Sequence, residues 1–157
     1  MFIAVSNHLE FAGDLRLVKA ELERRGYYSY VAVESGLPSQ EIFRRFICAP
    51  IRQSRFCVAV LNAEPSPCAF MELMPHSPSR DMPGRHYYPN ENVWFEYGMM
   101  HALGKTVVAL LKNDYGKRPF DVQHLSIPEY DNLSLIEIFQ GEVEKAERIT
   151  SPSVEGH

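Results

Sequence analysis

Few residues in this 157-residue chain have the type and spacing to do chemistry, and one of them stands out of pattern. Val93, Tyr97, Met100 and Leu103 recur at the 100° spacing of a helix and share a face, and Glu96 falls within that face. Glu96 is the only acidic residue between Asn92 and Leu103, and apart from the Tyr97 phenol His101 is the only other titratable group there. Burying an unpaired carboxylate is costly, so a charge at that position needs a reason. In one reading it stays near solvent in the first turn, favoured by the helix macrodipole, or pairs with an arginine. In the other it projects into a pocket, where its charge acts on a bound ligand. The pattern alone leaves both open.

Other candidates carry less. His76, His86 and His124 fall in loop-like stretches and His157 at the end, without HExxH or paired ligand spacing, so they read as surface histidines and no metal is expected. His101 lies five residues after Glu96, on a different helical face. Cys48, Cys57 and Cys68 contain no CxxC pair, which argues against a disulfide framework or zinc site and fits a reducing compartment. Cys57 sits in a buried-strand pattern and reads as core. Neither GxxxxGK[ST] nor GxGxxG occurs.

These residues must be positioned by a scaffold, and the composition is that of an ordinary globular domain: 45% hydrophobic and 23% charged. Formal net charge is −4, from 20 acidic and 16 basic residues, which argues against duplex nucleic acid as a partner. The densest basic cluster, Arg44, Arg45 and Arg52, reads as a solvated helix face. No apolar run reaches about 18 residues and no basic stretch precedes an apolar one at the start. Neither a signal peptide nor a membrane partner is therefore expected, and the default location is the cytoplasm.

Strand and helix patterns alternate. Met1 to Val5, Tyr27 to Val33, Phe56 to Leu61, Lys105 to Leu111 and Ser126 to Tyr130 read as strands, the last at an edge because it contains Pro128. Phe11 to Arg25 has helical spacing and ends at Gly26. A second helix starts near Pro38-Ser39 and runs through Ile42, Phe43, Phe46, Ile47 and Ile51, with Pro50 expected to kink it or end it one turn early. Asn92 to Leu103 is the third, capped by Asn92 or Asn90 and closed by Gly104. Pro119-Phe120-Asp121 opens a short turn or helix. Ser134 with Glu137 forms a capping box for a final amphipathic helix on Ile136, Phe139 and Val143. Six prolines between Asn62 and Glu91 forbid a long regular element there, which leaves an irregular insertion over 63–91, either functional or incidental.

Such alternation implies right-handed βαβ crossovers. The expected fold is α/β, a flavodoxin-like three-layer sandwich whose mostly parallel five-stranded sheet has the order 2-1-3-4-5. One domain covers 1–150 and a tail covers 151–157. Ligands of such sheets bind beyond the carboxyl ends of the strands, where the winding reverses. That point lies between strands one and three, whose exits are Ser6-Asn7 and Asn62-Ala63. Ser6 there suits a phosphate or ribose hydroxyl, or a plain turn. Ser6, Asn7 and Asn62 are thus candidate substrate contacts, with Asn90 and Asn92 beside the third helix.

The stretch Pro89 to Leu111, PNENVWFEYGMMHALGKTVVALL, resembles a signature of the TIR-like and nucleoside 2-deoxyribosyltransferase-like superfamily. Asn92, Val93, Glu96 and Gly98 match its NV-x-x-E-x-G pattern, and Ala102, Gly104 and Lys105 match the continuation into a buried strand. PFDVQHLSIPEYD (Pro119 to Asp131) is similar to the closing segment of bacterial TIR-like nucleotide-binding proteins. Weaker likeness lies upstream, in Arg25-Gly26-Tyr27 and in Ile51 to Ser54. The resemblance implies a TIR-like domain acting at a glycosidic C1′ carbon, with Glu96 as the catalytic carboxylate. It implies no cofactor: NAD or a related nucleotide is the substrate, and the protein can form a homo-oligomer.

Deoxyribosyltransferases carry an Asp about six residues before the Glu, where this chain has Asn90, which cannot supply a titrating proton. That departure favours an N-glycosidic bond hydrolase, or a non-catalytic nucleotide sensor or interaction module, over base exchange. Gly98 would admit close approach of a neighbouring strand or loop. Tyr87 and Tyr88 suit stacking on a base or nicotinamide ring, or anchoring of the loop.

Overall fold

A computed structural model of the chain describes residues 1–5, 11–31, 43–61, 63–65, 87–89, 91–112 and 125–151, with the backbone alone at 63–65, 87–89 and 91. Its centre is a parallel sheet of β1 (Phe2–Ala4), β2 (Tyr30–Val31), β3 (Cys57–Leu61), β6 (Val107–Lys112) and β7 (Glu129–Tyr130). The order is β2-β1-β3-β6-β7, with every pairing parallel, so the expected 2-1-3-4-5 arrangement is what forms. All five residues of β3 are buried, as an uninterrupted apolar run sandwiched between two helical layers must be.

Side chains alternate between the two faces. Ile3, Val58, Val60, Val108 and Leu110 pack on one side against α1 (Ala12–Arg24) and α4 (Leu135–Thr150), burying Val18, Leu22, Phe139 and Val143. Phe2, Ala4, Cys57, Ala59 and Leu61 face the other layer, made of α2 (Ala49–Gln53) and α3 (Glu91–Ala102). Each fully buried Val, Leu or Phe contributes about 1.5–3 kcal/mol through the apolar surface it removes from water. Across this second face runs a row of three alanines in register, Ala4 beside Ala59 beside Ala109. The row keeps the floor beneath α3 low, so Val93, Tyr97 and Met100 settle directly on the sheet.

At the amino ends of the strands a charge network ties α1 to α4. Buried Glu21 accepts hydrogen bonds from Arg24 and Arg25, and Arg25 reaches on to Glu147 at 3.1 Å. The Arg24 hydrogen bonds, helped by those of Arg25, hold the Glu21 carboxyl down at about 2. Gly26 and Gly104 end their helices at φ +82° and +69°, a left-handed turn that glycine adopts without steric cost.

Several local expectations are corrected. The second helix does not end early at Pro50: a wide-turned π-helical segment (Phe43–Cys48) precedes α2, which carries Pro50 in its first turn and continues to Gln53. Proline cannot bond the carbonyl four residues back and its ring crowds that carbonyl, so the preceding chain widens instead of breaking. The capping box at Ser134 does not form. Asp131 Oδ1 accepts from the Leu133 and Ser134 N–H groups, an Asx turn one step upstream, and takes the Ser134 hydroxyl with it. Asn92 lies inside α3 rather than capping it, and Asn90 lies outside the described residues.

Strand two begins only at Tyr30, because the Tyr27 N–H is taken by the Leu22 carbonyl in the helix termination. The stretch 63–91 is not irregular throughout. Its ends, β4 (Ala63–Pro65) and β5 (Tyr87–Pro89), pair antiparallel as a two-stranded ribbon, and Glu91 already belongs to α3. The expected turn at Pro119-Phe120-Asp121 and the tail beyond Ser151 lie outside the described residues. Among the described residues, no helix is long and apolar enough to cross a membrane.

Candidate functional site

The chain leaves the carboxyl end of β3, passes through the ribbon, and re-enters the fold at the start of α3, which packs over β1, β3 and β6. Val93, Tyr97 and Met100 point straight at the sheet. Glu96 projects from the flank of this buried stripe, on the side of the π-helical segment and the β2 edge. Two neighbours fix that direction. Phe95 pairs with Phe43 of the π-helical segment at 5.7 Å between ring centroids, and the charge of Glu96 is felt by the Tyr30 phenol of β2.

Glu96 is half-buried and has neither a hydrogen bond nor an ion pair to any described residue. Burial alone pushes its carboxyl up from the ordinary range to about 7. The Tyr30 phenol is raised in turn, first by its own burial and then by the nearby carboxylate. Among the described residues, neither bland explanation of Glu96 fits this geometry. It sits in the second turn of α3, beyond the reach of the amino-terminal dipole, and no described arginine pairs with it. Near neutral pH such a carboxyl exists in both forms: protonated it can donate to a ligand, and ionised it lacks the counter-charge that a cationic centre would supply.

Around it, Asn92 is exposed one turn earlier on the same side of α3. Ser6, Asn7, Asn62 and Asn90 lie outside the described residues. The backbone of Tyr88 is placed opposite Glu64 in the ribbon, and its side chain lies outside the description. No described residue makes the close approach expected at Gly98, which is exposed and whose built Cβ meets nothing within 4 Å among the described residues. Lys105 has a structural task, since its Nζ donates to the carbonyls of Arg52 and Ser54 at the end of α2. His101 stacks edge-on against Tyr97 at 4.6 Å, and burial lowers its pKa. Cys57 is wholly buried, its thiol pushed up to about 11 mainly by burial, as suits a core residue. Among the described residues, no three His, Cys, Asp or Glu side chains gather as metal ligands would.

A second polar cluster, absent from the sequence reading, lies on the opposite face. Lys112 is the last residue of β6, Tyr130 the last of β7, and Asp14 belongs to the first turn of α1. Lys112 Nζ donates to Asp14 Oδ2 at 2.7 Å and the Tyr130 hydroxyl donates to the same oxygen at 2.9 Å. The one signal in the sequence was a lysine closing an otherwise apolar strand. Its partners are 98 and 116 residues apart in pairs across the chain, which no local pattern reveals.

Comparison of the chain with family models, with characterised proteins and with solved structures gives no match.

Proposed function

We propose that the chain is a TIR-like nucleotide-binding protein that cleaves the N-glycosidic bond of NAD or a related nucleotide, with Glu96 as the essential carboxylate. The observation that carries this reading is Glu96 itself, half-buried on α3 without a partner among the described residues and raised to about 7. A protein gains no stability from an uncompensated charge, so its position is better explained by a ligand that completes it. The resemblance of Asn92 to Lys105 to the superfamily signature supports the same residue from an independent direction.

The chemistry fits the residues present. In a ribosylated pyridinium the bond from C1′ to the ring nitrogen breaks with its electron pair passing to nitrogen, and the ring leaves as neutral nicotinamide. The sugar is left as an oxocarbenium ion, to which water adds and then loses a proton. An ionised Glu96 stabilises the developing positive charge. A neutral leaving group needs no acid to protonate it, so Asn90 in place of a titrating aspartate is no obstacle. For an ordinary deoxynucleoside, whose base must be protonated, it is.

Purified protein incubated with NAD should release nicotinamide, and Glu96→Gln should lower the rate at least 100-fold, as loss of about 2.7 kcal/mol or more of charge stabilisation would. Nucleotide binding without turnover in both proteins would assign the chain to the sensors instead. Base exchange with deoxynucleosides would restore the transferase reading.

A further inference from the structure

The Asp14–Lys112–Tyr130 cluster stands at the carboxyl ends of β6 and β7 and the start of α1, the end of a parallel sheet where ligands bind. Its groups are well covered: the Lys112 and Asp14 side chains are 13% and 8% exposed, and Tyr130 is wholly buried. The rings of Phe11 and Tyr130 flank the Lys112 ammonium at 5.4 and 5.9 Å and fix its direction.

Toward the described residues, hydrogen-bond capacity remains on both partners. An ammonium carries three donors, and among the described residues Lys112 spends one, on Asp14 Oδ2. The same oxygen takes the Tyr130 hydroxyl, so Asp14 Oδ1 accepts from no described residue. The pair is neutral as a whole, which disfavours a phosphate: the Asp14 carboxylate would repel it at close range. Unused donors beside an unused acceptor match a group that both accepts and donates, and two adjacent hydroxyls do so.

We infer that Asp14 and Lys112 form a sugar-binding subsite that takes the vicinal diol of a ribose, with Tyr130 as the positioning residue that holds Asp14 Oδ2. One hydroxyl donates to Asp14 Oδ1 and the other accepts from Lys112 Nζ. The subsite rests on the reading of the chain as a nucleotide binder, and it makes that binder selective for ribonucleotides over their 2′-deoxy counterparts.

Calorimetric titration of the full chain with ADP-ribose, and with its analogue lacking both 2′-hydroxyls, tests the subsite. ADP-ribose should bind about tenfold to a hundredfold more tightly, the ratio expected when a buried charged group loses its hydrogen-bond partner. The Asp14→Asn/Lys112→Met double variant should bind both ligands alike. A purely structural role for the pair would change the melting temperature of that variant and leave the ratio of affinities intact. Amide spectra of the wild-type chain require no folded variant: ADP-ribose should move the signals of Asp14, Lys112 and Tyr130 more than the deoxy analogue does. Equal affinities for the two ligands, a ratio retained in the double variant, or spectral changes elsewhere would overturn the subsite while leaving nucleotide binding in place. Failure of the wild-type chain to bind either ligand would overturn both readings.

Discussion

Replacing Glu96 by Gln should make the protein more stable, and only above a definite pH. An unfolded glutamate titrates at 4.5, whereas burial moves Glu96 in the fold to about 7. Below the lower value the carboxyl is protonated in both states and costs nothing. Between the two, folding retains a proton that the unfolded chain has released, so stability falls as pH rises. Above the upper value the loss is complete, and a shift of this size corresponds to about 3 kcal/mol. Glutamine keeps the shape and carries no charge, so Glu96→Gln escapes the loss. Urea unfolding of both proteins at pH 5 and pH 8 isolates the effect, because every other titrating group is common to the two and cancels in the comparison. The stability difference in favour of Glu96→Gln should widen by about 2–3 kcal/mol between those pH values. An unchanged difference, or a Glu96 carbon resonance titrating near 4.5, would refute the premise that an unpaired charge is held in the fold. The variant that gains stability is the one expected to lose nicotinamide release, the trade-off of a site that retains a costly group for its chemistry.

Three further outcomes follow from the packing. Gly98→Ala, at an exposed helical position where a Cβ meets no described atom, should raise stability by about 1 kcal/mol in urea unfolding; destabilisation would mean that a neighbour does approach there. Ala59→Leu places a bulky side chain in the middle of the alanine row and should cost about 1–3 kcal/mol by lifting α3, checked by thermal unfolding. Glu21→Gln should destabilise by about 1 kcal/mol at pH 7, a figure kept small because its main partner, Arg24, is solvated, and the loss should shrink as pH falls from 4.5 towards 2; a loss that persists at pH 2 would assign Glu21 a packing role instead.

The parts of the fold legible in the sequence were those set by short-range periodicity. The run Cys57 to Leu61 announced a strand covered on both faces, and the alternation of strands with helices announced the parallel order. Glu96 was legible because a single charge breaks a helical stripe, although the sequence could not say whether an arginine answers it. What escaped depended on distant partners or on competition between equivalent local options. Ser134 keeps the N-cap position, but Asp131 takes the capping task from its hydroxyl because the Asp131 carboxylate reaches two N–H groups at once. The π-helical segment before Pro50 reflects how the chain absorbs a missing N–H, for which breaking and widening are both available and local sequence does not choose between them. Asp14 appeared as one of several charges along α1 and gained meaning only when β6 and β7 brought Lys112 and Tyr130 to it.

The ribbon of β4 and β5 has a bearing on how this chain can be rebuilt. Because Pro65 pairs directly with Tyr87, the two points where 66–86 departs and returns stand one strand spacing apart, about 5 Å. The roughly twenty residues between them therefore occupy a socket with adjacent terminals, and their exchange leaves the exit from β3 and the entry to α3 unaltered. Substituting a two-residue Asn-Gly turn would shorten the closed loop about tenfold and save about 2 kcal/mol of closure entropy. The same socket would accept a foreign domain whose ends lie close together, which makes it a natural splice point for a reporter.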